Sequence, residues 1–455
     1  MERKNAWKDY EPADLEKLEA FSAEYSAFLN AGKTERECVK ECVKIAEKHG
    51  FVDLEDLVSV KAGDRVYVNW MNKVFLMYVI GSQPMENGMN ILGAHIDSPR
   101  IDVKQNPLYE DADLAYLDTH YYGGIKKYQW AAIPLAIHGV IVKKDGTTVE
   151  VKVGEDEADP VFCISDLLPH LAQEQMKKDA ANIIEGEALD LIVGGKPLEG
   201  EEKDAVKANV LKLMNEKYGV EEEDFLSAEL EIVPAGKARD MGFDRSMILA
   251  YGHDDRVCAY PSMRAALDFE GTPERTLCCV LTDKEEIGSV GATGMDSQFF
   301  ENITAEVLAR AEEYCDLKLR RCLKNSRMLS SDVSAGFDPL YASAFEKKNA
   351  AYLGKGICFN KYTGARGKSS SSDANAEYVA EIRRIMDEGK AAYQFAELGR
   401  VDLGGGGTIA FTSAKYGMNV IDAGVAVLSM HAPFEIISKA DLYEAYKAYC
   451  AFLKD

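Results

Sequence analysis

The residues able to do chemistry are short histidine and acidic clusters, each at the polar tip of an apolar run. His95 stands in GAHIDSP and His431 in LSMHAPFE, two of only seven histidines. Glu285 and Glu286 sit side by side in DKEEIGS, just after the apolar run LCCVL. Asp254 and Asp255 form a second acidic pair in GHDDRVCAY, and Asp332 completes the set in LSSDVSAGFDP. Neighbouring carboxylates at a strand end repel each other unless a cation or solvent separates them. In such a pair one carboxylate can hold a metal while the other takes a proton from a water. Taken singly, each cluster also fits a solvated acidic turn or a packed histidine. Together, two histidines and four or five carboxylates suit two divalent ions, because imidazole and carboxylate bind Zn²⁺, Co²⁺ or Mn²⁺ well. Two ions ~3.5–4 Å apart that share a carboxylate clamp a carbonyl and its attacking water together.

Residues at such tips need strands to present them. The pattern predicts an N-terminal helix with Leu15, Leu18, Phe21, Tyr25, Phe28 and Leu29 on one face. A second helix follows, opened by a Thr34/Glu37 capping pattern, lined by Cys38, Cys42 and Ile45, and ended at Gly50. Strand-like runs come next, including 66–70 and 74–80, and MNILGAHIDSPRID carries a strand into the turn at His95–Pro99. Strands then alternate with helices again from about Met241 to the last amphipathic helix, capped by Ser438, with Leu442, Tyr446, Tyr449 and Phe452 on one face. This order argues for an α/β fold: a mixed central sheet flanked by helices, with chemistry at the strand ends. Residues 104–241 differ, with β-rich pieces such as IPLAIHGVIV and a charged helix between acidic flanks. They read as an inserted β-rich domain for association, dividing a catalytic domain made of 1–103 and 242–455. GGGG at 404–407 lacks a following Gly-Lys-Ser/Thr and reads as a tight turn or a close backbone approach, not a P-loop.

Bulk properties narrow the class. The chain has 455 residues, 47% hydrophobic and 28% charged, with a formal charge of −23. That is a globular balance, and its sign disfavours nucleic acid and anionic membrane surfaces as partners. No apolar run reaches the ~18 residues that span a bilayer, and the charged segment Met1–Asp14 has no signal-peptide core. A cytoplasmic protein is expected. Ten scattered cysteines with no CxxC pair read as free thiols in a reducing compartment. Cys278 and Cys279 are adjacent in one apolar strand and should point to opposite faces.

The ordered set GAHIDSPR, GHDDRVC, DKEEIGSVGATG, LSSDVSAGFDP, DLGGGGTIA and LSMHAPFE resembles the aspartyl aminopeptidase family of dinuclear zinc metallopeptidases, in a bacterial-type form. The resemblance covers nearly the whole chain. It implies a metal-dependent aminopeptidase that frees the N-terminal residue of peptides, with two divalent ions, zinc foremost and cobalt or manganese as alternatives. By the family pattern His95 and Asp332 are terminal ligands of one ion, and Glu286 and His431 of the other. Asp254 is the bridging carboxylate, with Asp255 the alternative because the acidic pair permits a one-residue slip. Glu285 is the general base, and Asp97 is the acid that orients the His95 imidazole.

The same resemblance implies self-association into a large tetrahedral homo-oligomer, commonly a dodecamer. In it a histidine of the inserted domain reaches a neighbour's site, and His170 in LLPHLAQ is the candidate. An acidic substrate side chain would need a cation, for which Lys361, with Arg366 nearby, is the candidate. Preference for acidic or for neutral and apolar N-terminal residues stays open. The competing readings are a carboxypeptidase or amide deacylase on the same scaffold, and a non-catalytic assembly protein that has kept the fold.

Overall fold

The computed structural model describes residues 4–455; Met1–Arg3, the start of the charged N-terminal segment, lie outside the described residues. The chain divides into two compact units. The first comprises residues up to Asp97 with Ala238–Met430 and Glu435–Asp455; the second comprises Ser98–Lys237 with His431–Phe434. These breaks fall a few residues before the expected 103/104 and 241/242. The reason is strand pairing: Arg100–Asp111 already belongs to the second unit's sheet, and Arg239–Met241 already pairs with Met247–Ala250 in the first.

The first unit is built on a mixed nine-stranded sheet. Its strands are β1 (Val52–Asp53), β2 (Arg65–Trp70), β3 (Val74–Val79), β4 (Asn90–His95), β5 (Leu277–Thr282), β6 (Arg327–Ser330), β7 (Ile357–Asn360), β8 (Tyr393–Ala396) and β9 (Asn419–Gly424). Their spatial order is β1-β2-β3-β5-β4-β6-β9-β7-β8. The central four, β5, β4, β6 and β9, are mutually parallel, while β3 and β7 run antiparallel to them. β3, β4 and β5 are buried along their whole length, as strands covered on both faces must be, and they read as continuous apolar runs for that reason.

Side chains of β3 go alternately to two cores. Phe75, Met77 and Val79 pack in one, and Val74, Leu76 and Tyr78 in the other. Cys279 and Cys278 split the same way, as their adjacency in one strand requires. The first core is closed by helices Pro12–Ala31, Glu35–Lys48, His253–Leu267, Ala376–Glu388 and Lys439–Lys454, and the second by Phe299–Ala311 and Asp316–Asn325.

The N-terminal helix buries Leu18, Phe21, Tyr25, Phe28 and Leu29, while Leu15, one turn earlier, stays 38% exposed. Thr34 caps the second helix by accepting from Glu37 N, and the Glu37 carboxylate accepts from Lys33 N. Ser438 occupies the cap position of the last helix but its side chain makes no capping bond. At the glycine run, a Cβ on Gly404 would lie 1.6 Å from the Leu398 carbonyl oxygen, so this is a close backbone approach.

The second unit carries a six-stranded, wholly antiparallel sheet in the order Thr148–Val153, Leu135–Val142, Ala228–Pro234, Arg100–Asp111, Leu114–Tyr122 and Leu191–Gly194. Its helix Ala205–Tyr218 buries only Val206, which explains its charged, low-amphipathicity sequence. Among the described residues no helix is long and apolar enough to cross a membrane.

Register sets where chemistry can occur. Thr282 lies beside His95, and Ser330 beside Gly93, so the C-terminal ends of β5, β4 and β6 emerge together. Such ends are where open α/β sheets place their sites. The chain beyond β6 then crosses the end of β9 so closely that a Cβ on Gly424 would lie 1.8 Å from the Asp332 carbonyl oxygen. Gly→Ala exchanges with room for the methyl group tend to be neutral or stabilising. Gly424→Ala is instead expected to cost about 1–3 kcal/mol by overpacking, read as a lower urea midpoint in equilibrium unfolding.

Candidate metal centre

Three chain segments leave the adjacent ends of β4, β5 and β6, and the start of helix His253–Leu267 meets them. His95, the last residue of β4, is 1% exposed. Its Nδ1 donates to the main-chain oxygen of Asp97 at 3.0 Å, with the Asp97 carboxylate at 3.3 Å. This leaves Nε2 aimed at carboxylates: Asp254 Oδ1 at 3.2 Å and Glu285 Oε2 at 3.8 Å. Asp97 does more than face the imidazole. Its two carboxylate oxygens accept the main-chain N–H groups of Glu285 and Glu286, each at 3.2 Å. One buried side chain therefore ties the end of β4 to the turn that follows β5.

That turn is a single 3₁₀ turn, Glu285–Ile287, entered through Lys284 and left through Gly288, both left-handed. The reversal presents two consecutive glutamates without regular helix or strand around them. The helix start is irregular too. Gly252 is left-handed, Asp254 and Asp255 have non-helical dihedrals, and the peptide bond between them is cis. Asp255 is fully buried; its Oδ2 accepts from His95 N at 3.3 Å and its Oδ1 has no hydrogen-bond partner. The next residue, Arg256, is 1% exposed and donates from Nε to Ile96 O and from Nη2 to Lys33 O. It thereby anchors the chain between His95 and Asp97.

The donor atoms converge. His95, Glu285 and Asp332 form one group with donor atoms all within 4.8 Å of one another, His95, Asp254 and Glu286 a second, and Asp254, Asp255 and Asp332 a third. The charge state reflects the crowding. Burial pulls the His95 imidazole down, but its bonds to Asp254 and Asp97 and the charge of Glu285 outweigh this and hold it well above its usual value. Burial, together with Glu285 and Asp255, pushes the Asp332 carboxyl well up. Burial pushes Asp255 up as well, against the pull of His95. Carboxylates packed this closely away from water require positive charge to stay ionised. One imidazole nitrogen, several carboxylate oxygens and the orphaned Asp255 Oδ1, with no thiol, fit divalent ions of the zinc, cobalt and manganese type.

Of the residues singled out in the sequence, His95, Asp97, Asp254, Asp255, Glu285, Glu286 and Asp332 come together within the first unit. His431 belongs to the second unit, where its Nδ1 donates to Gly124 O at 2.9 Å and its backbone is left-handed, φ 64°. Lys361, on the first unit, is exposed, with Asp373 at 3.8 Å. His170, on the second, is exposed. Sequence reasoning passed over Arg256 and Glu435. Both stand inside quoted motifs, but nothing in one dimension says that Arg256 reaches back to Ile96, or that Glu435 accepts the Asp254 main-chain N–H at 3.0 Å.

Comparison with known proteins agrees along the whole chain. The family model described as aminopeptidase I zinc metalloprotease (M18) matches residues 28–453. A Clostridium acetobutylicum protein named "Probable M18 family aminopeptidase 1" is 59% identical over 459 residues, covering 100% of this chain and 98% of its own. The crystal structure of an M18 aminopeptidase from Thermotoga maritima superposes with a TM-score of 0.96 at 48% identity, covering 100% of this chain and 99% of that one. A structure described as the S. cerevisiae mApe1 dodecamer shares the fold, with a TM-score of 0.76 at 20% identity over 95% of this chain and 96% of that one.

Asp97→Ala removes the tie between β4 and the glutamate turn without touching a donor atom of the three groups. It is expected to weaken divalent-metal affinity about 10–100-fold, measured by chelator competition.

Proposed function

The chain belongs to the M18 family of aminopeptidases, and we propose that it releases single N-terminal residues from peptides at two divalent ions, zinc foremost, with cobalt or manganese able to replace it. The observation that carries this reading is shared membership: His95, Asp254 and Asp332 each belong to two of the three donor groups. Overlap of that kind is what a pair of ions with a common carboxylate asks for.

In this reading His95 and Asp332 hold one ion, and Glu286 and His431 the other. His431 takes its part from the resemblance to the family. Asp254 bridges, in preference to Asp255, because its Oδ1 faces the same imidazole nitrogen that would bind metal, while Asp255 is engaged with the His95 main chain. When bound, such ions polarise the scissile carbonyl and bring the pKa of the attacking water toward neutrality. Glu285 is the general base. Its side chain is 13% exposed, half-buried beside the buried His95 and Asp254, so it can meet a water and still be held by Asp97 through its N–H. It takes the water's proton and hands it to the departing amine. Asp97 keeps the His95 tautomer in which Nε2 is free to coordinate.

The segment around His170 supports association. Leu167, Leu168 and Leu171 are 54%, 50% and 69% exposed beside it, an apolar surface that a second copy would cover. A tetrahedral dodecamer, with His170 near a neighbour's site, is the assembly this reading favours. Lys361 is the cation for any acidic substrate side chain. The ten free cysteines, most of them buried, suit a reducing, cytoplasmic setting.

Two measurements test the function. With Co²⁺ or Zn²⁺ supplied, a panel of peptides beginning with Asp, Glu, Leu, Met or Lys should be cleaved one residue at a time, and the N-acetylated forms left intact. Cleavage of the blocked forms would point to a deacylase or carboxypeptidase instead. Glu285→Gln should keep metal content and unfolding midpoint while kcat falls by about 10²–10⁴-fold. Near-normal turnover in that variant would remove Glu285 from the role of base.

A further inference from the structure

Asp254 stands where the helix that carries it has not yet become regular. Its φ and ψ are −79° and 108°, and those of Asp255 −113° and 24°. Helical hydrogen bonding therefore does not fix the direction of the Asp254 side chain, although its Oδ1 must meet His95 Nε2 at 3.2 Å. Two elements distant in sequence grip this junction. From the C-terminal side, Glu435 opens the strand Glu435–Ser438, is 1% exposed, and accepts the Asp254 N–H at 3.0 Å. From the N-terminal helix, the Tyr25 hydroxyl meets His253 Nδ1 at 2.8 Å, the two rings being stacked 5.7 Å apart, and both residues are fully buried. His253 Nε2 lies 3.2 Å from Ile248 O. That carbonyl can only accept, so Nε2 carries the proton and Tyr25 is the donor to Nδ1.

A buried carboxylate one residue from the acidic cluster is electrostatically unfavourable there. An apolar residue would fill the space without adding negative charge, but it would leave the Asp254 N–H unsatisfied in a dry site, which costs the desolvation of that group. We infer that Glu435 and the Tyr25–His253 pair are positioning residues that clamp the His253–Asp254 junction and so aim the Asp254 carboxylate at the metal centre. The inference rests on the reading of Asp254 as a metal ligand. Glu435 acts through the hydrogen bond that it accepts from the Asp254 N–H.

The whole chain is used for the test, with Co²⁺ affinity by chelator competition, the visible spectrum of the Co²⁺ form, and the unfolding midpoint of the metal-free protein. Asp254→Asn is the control for the underlying reading. If it binds Co²⁺ like the wild type, the metal role of Asp254 falls and the clamp falls with it. If it loses Co²⁺, the clamp is judged by the other variants. Glu435→Ala is expected to weaken Co²⁺ about 10–100-fold and to change the Co²⁺ spectrum. Glu435→Gln keeps an acceptor oxygen for the Asp254 N–H and, being isosteric, covers the case in which the alanine variant does not fold; it should restore near-wild-type affinity and spectrum. Tyr25→Phe leaves His253 Nδ1 without its donor, so the metal-free midpoint should fall, and Co²⁺ affinity, measured where the variant is fully folded, should weaken as well; unchanged affinity there would remove the Tyr25–His253 pair from the clamp. Wild-type affinity in Glu435→Ala, or a Glu435→Gln variant with an altered spectrum and weakened affinity, would overturn the clamp.

Discussion

Five carboxylates, Asp254, Asp255, Glu285, Glu286 and Asp332, are brought around the one imidazole of His95 in a region largely closed to water. Like charges at this spacing repel strongly in a low dielectric. Folding must therefore hold them together against their own electrostatics and the loss of water; burial first, and neighbouring carboxylates after it, pull Asp255 and Asp332 upward. Much of the surrounding structure can be understood as the scaffold that resists that repulsion. The proposed ions would relieve the same repulsion on binding, which is why metal loading and stability should be linked in this protein.

The scaffold works by hydrogen bonds to the main chain more than by contacts to the carboxylates. Asp97 accepts the two N–H groups of the glutamate turn, Asp255 accepts the His95 N–H, Arg256 holds the Ile96 carbonyl, and Glu435 accepts the Asp254 N–H. Each bond fixes where a backbone segment leaves its strand or helix, and the side chain beyond then has few rotamers left. The glycines serve the same end, since Gly424 lets the Asp332 backbone pass at a distance that no other residue would permit.

Below this layer the sheet acts as a rigid frame. Its central strands are parallel and buried on both faces, so their C-terminal ends stop at a common edge and cannot slip in register without moving apolar side chains between the two cores. The irregular pieces, a left-handed entry at Lys284, a non-helical start at Asp254 and the turn after Ser330, are confined to that edge. Regular structure supplies the position and irregular structure the direction.

Local pattern determined a good deal here. Hydrophobic period placed the strands β2 and β3, the N-terminal helices and the alternation of Cys278 and Cys279, because each depends only on which neighbours along the chain are apolar. The order of short motifs pointed to the family, and the motifs themselves contain the seven residues that gather in the first unit. Other features depended on contacts between residues hundreds of positions apart. Only the tertiary structure decided that the second unit's sheet begins at Arg100, that Asp97 serves two glutamate N–H groups as well as His95, and that Tyr25 and Glu435, from opposite ends of the chain, meet at His253 and Asp254. The physical reason is that a hydrogen bond across 181 or 228 residues leaves no periodic or compositional trace. The first exists because the strand Glu435–Ser438 pairs with Met247–Ala250 and sets Glu435 beside Ala250, just ahead of the helix that carries Asp254; the second because the N-terminal helix packs in one core with that helix.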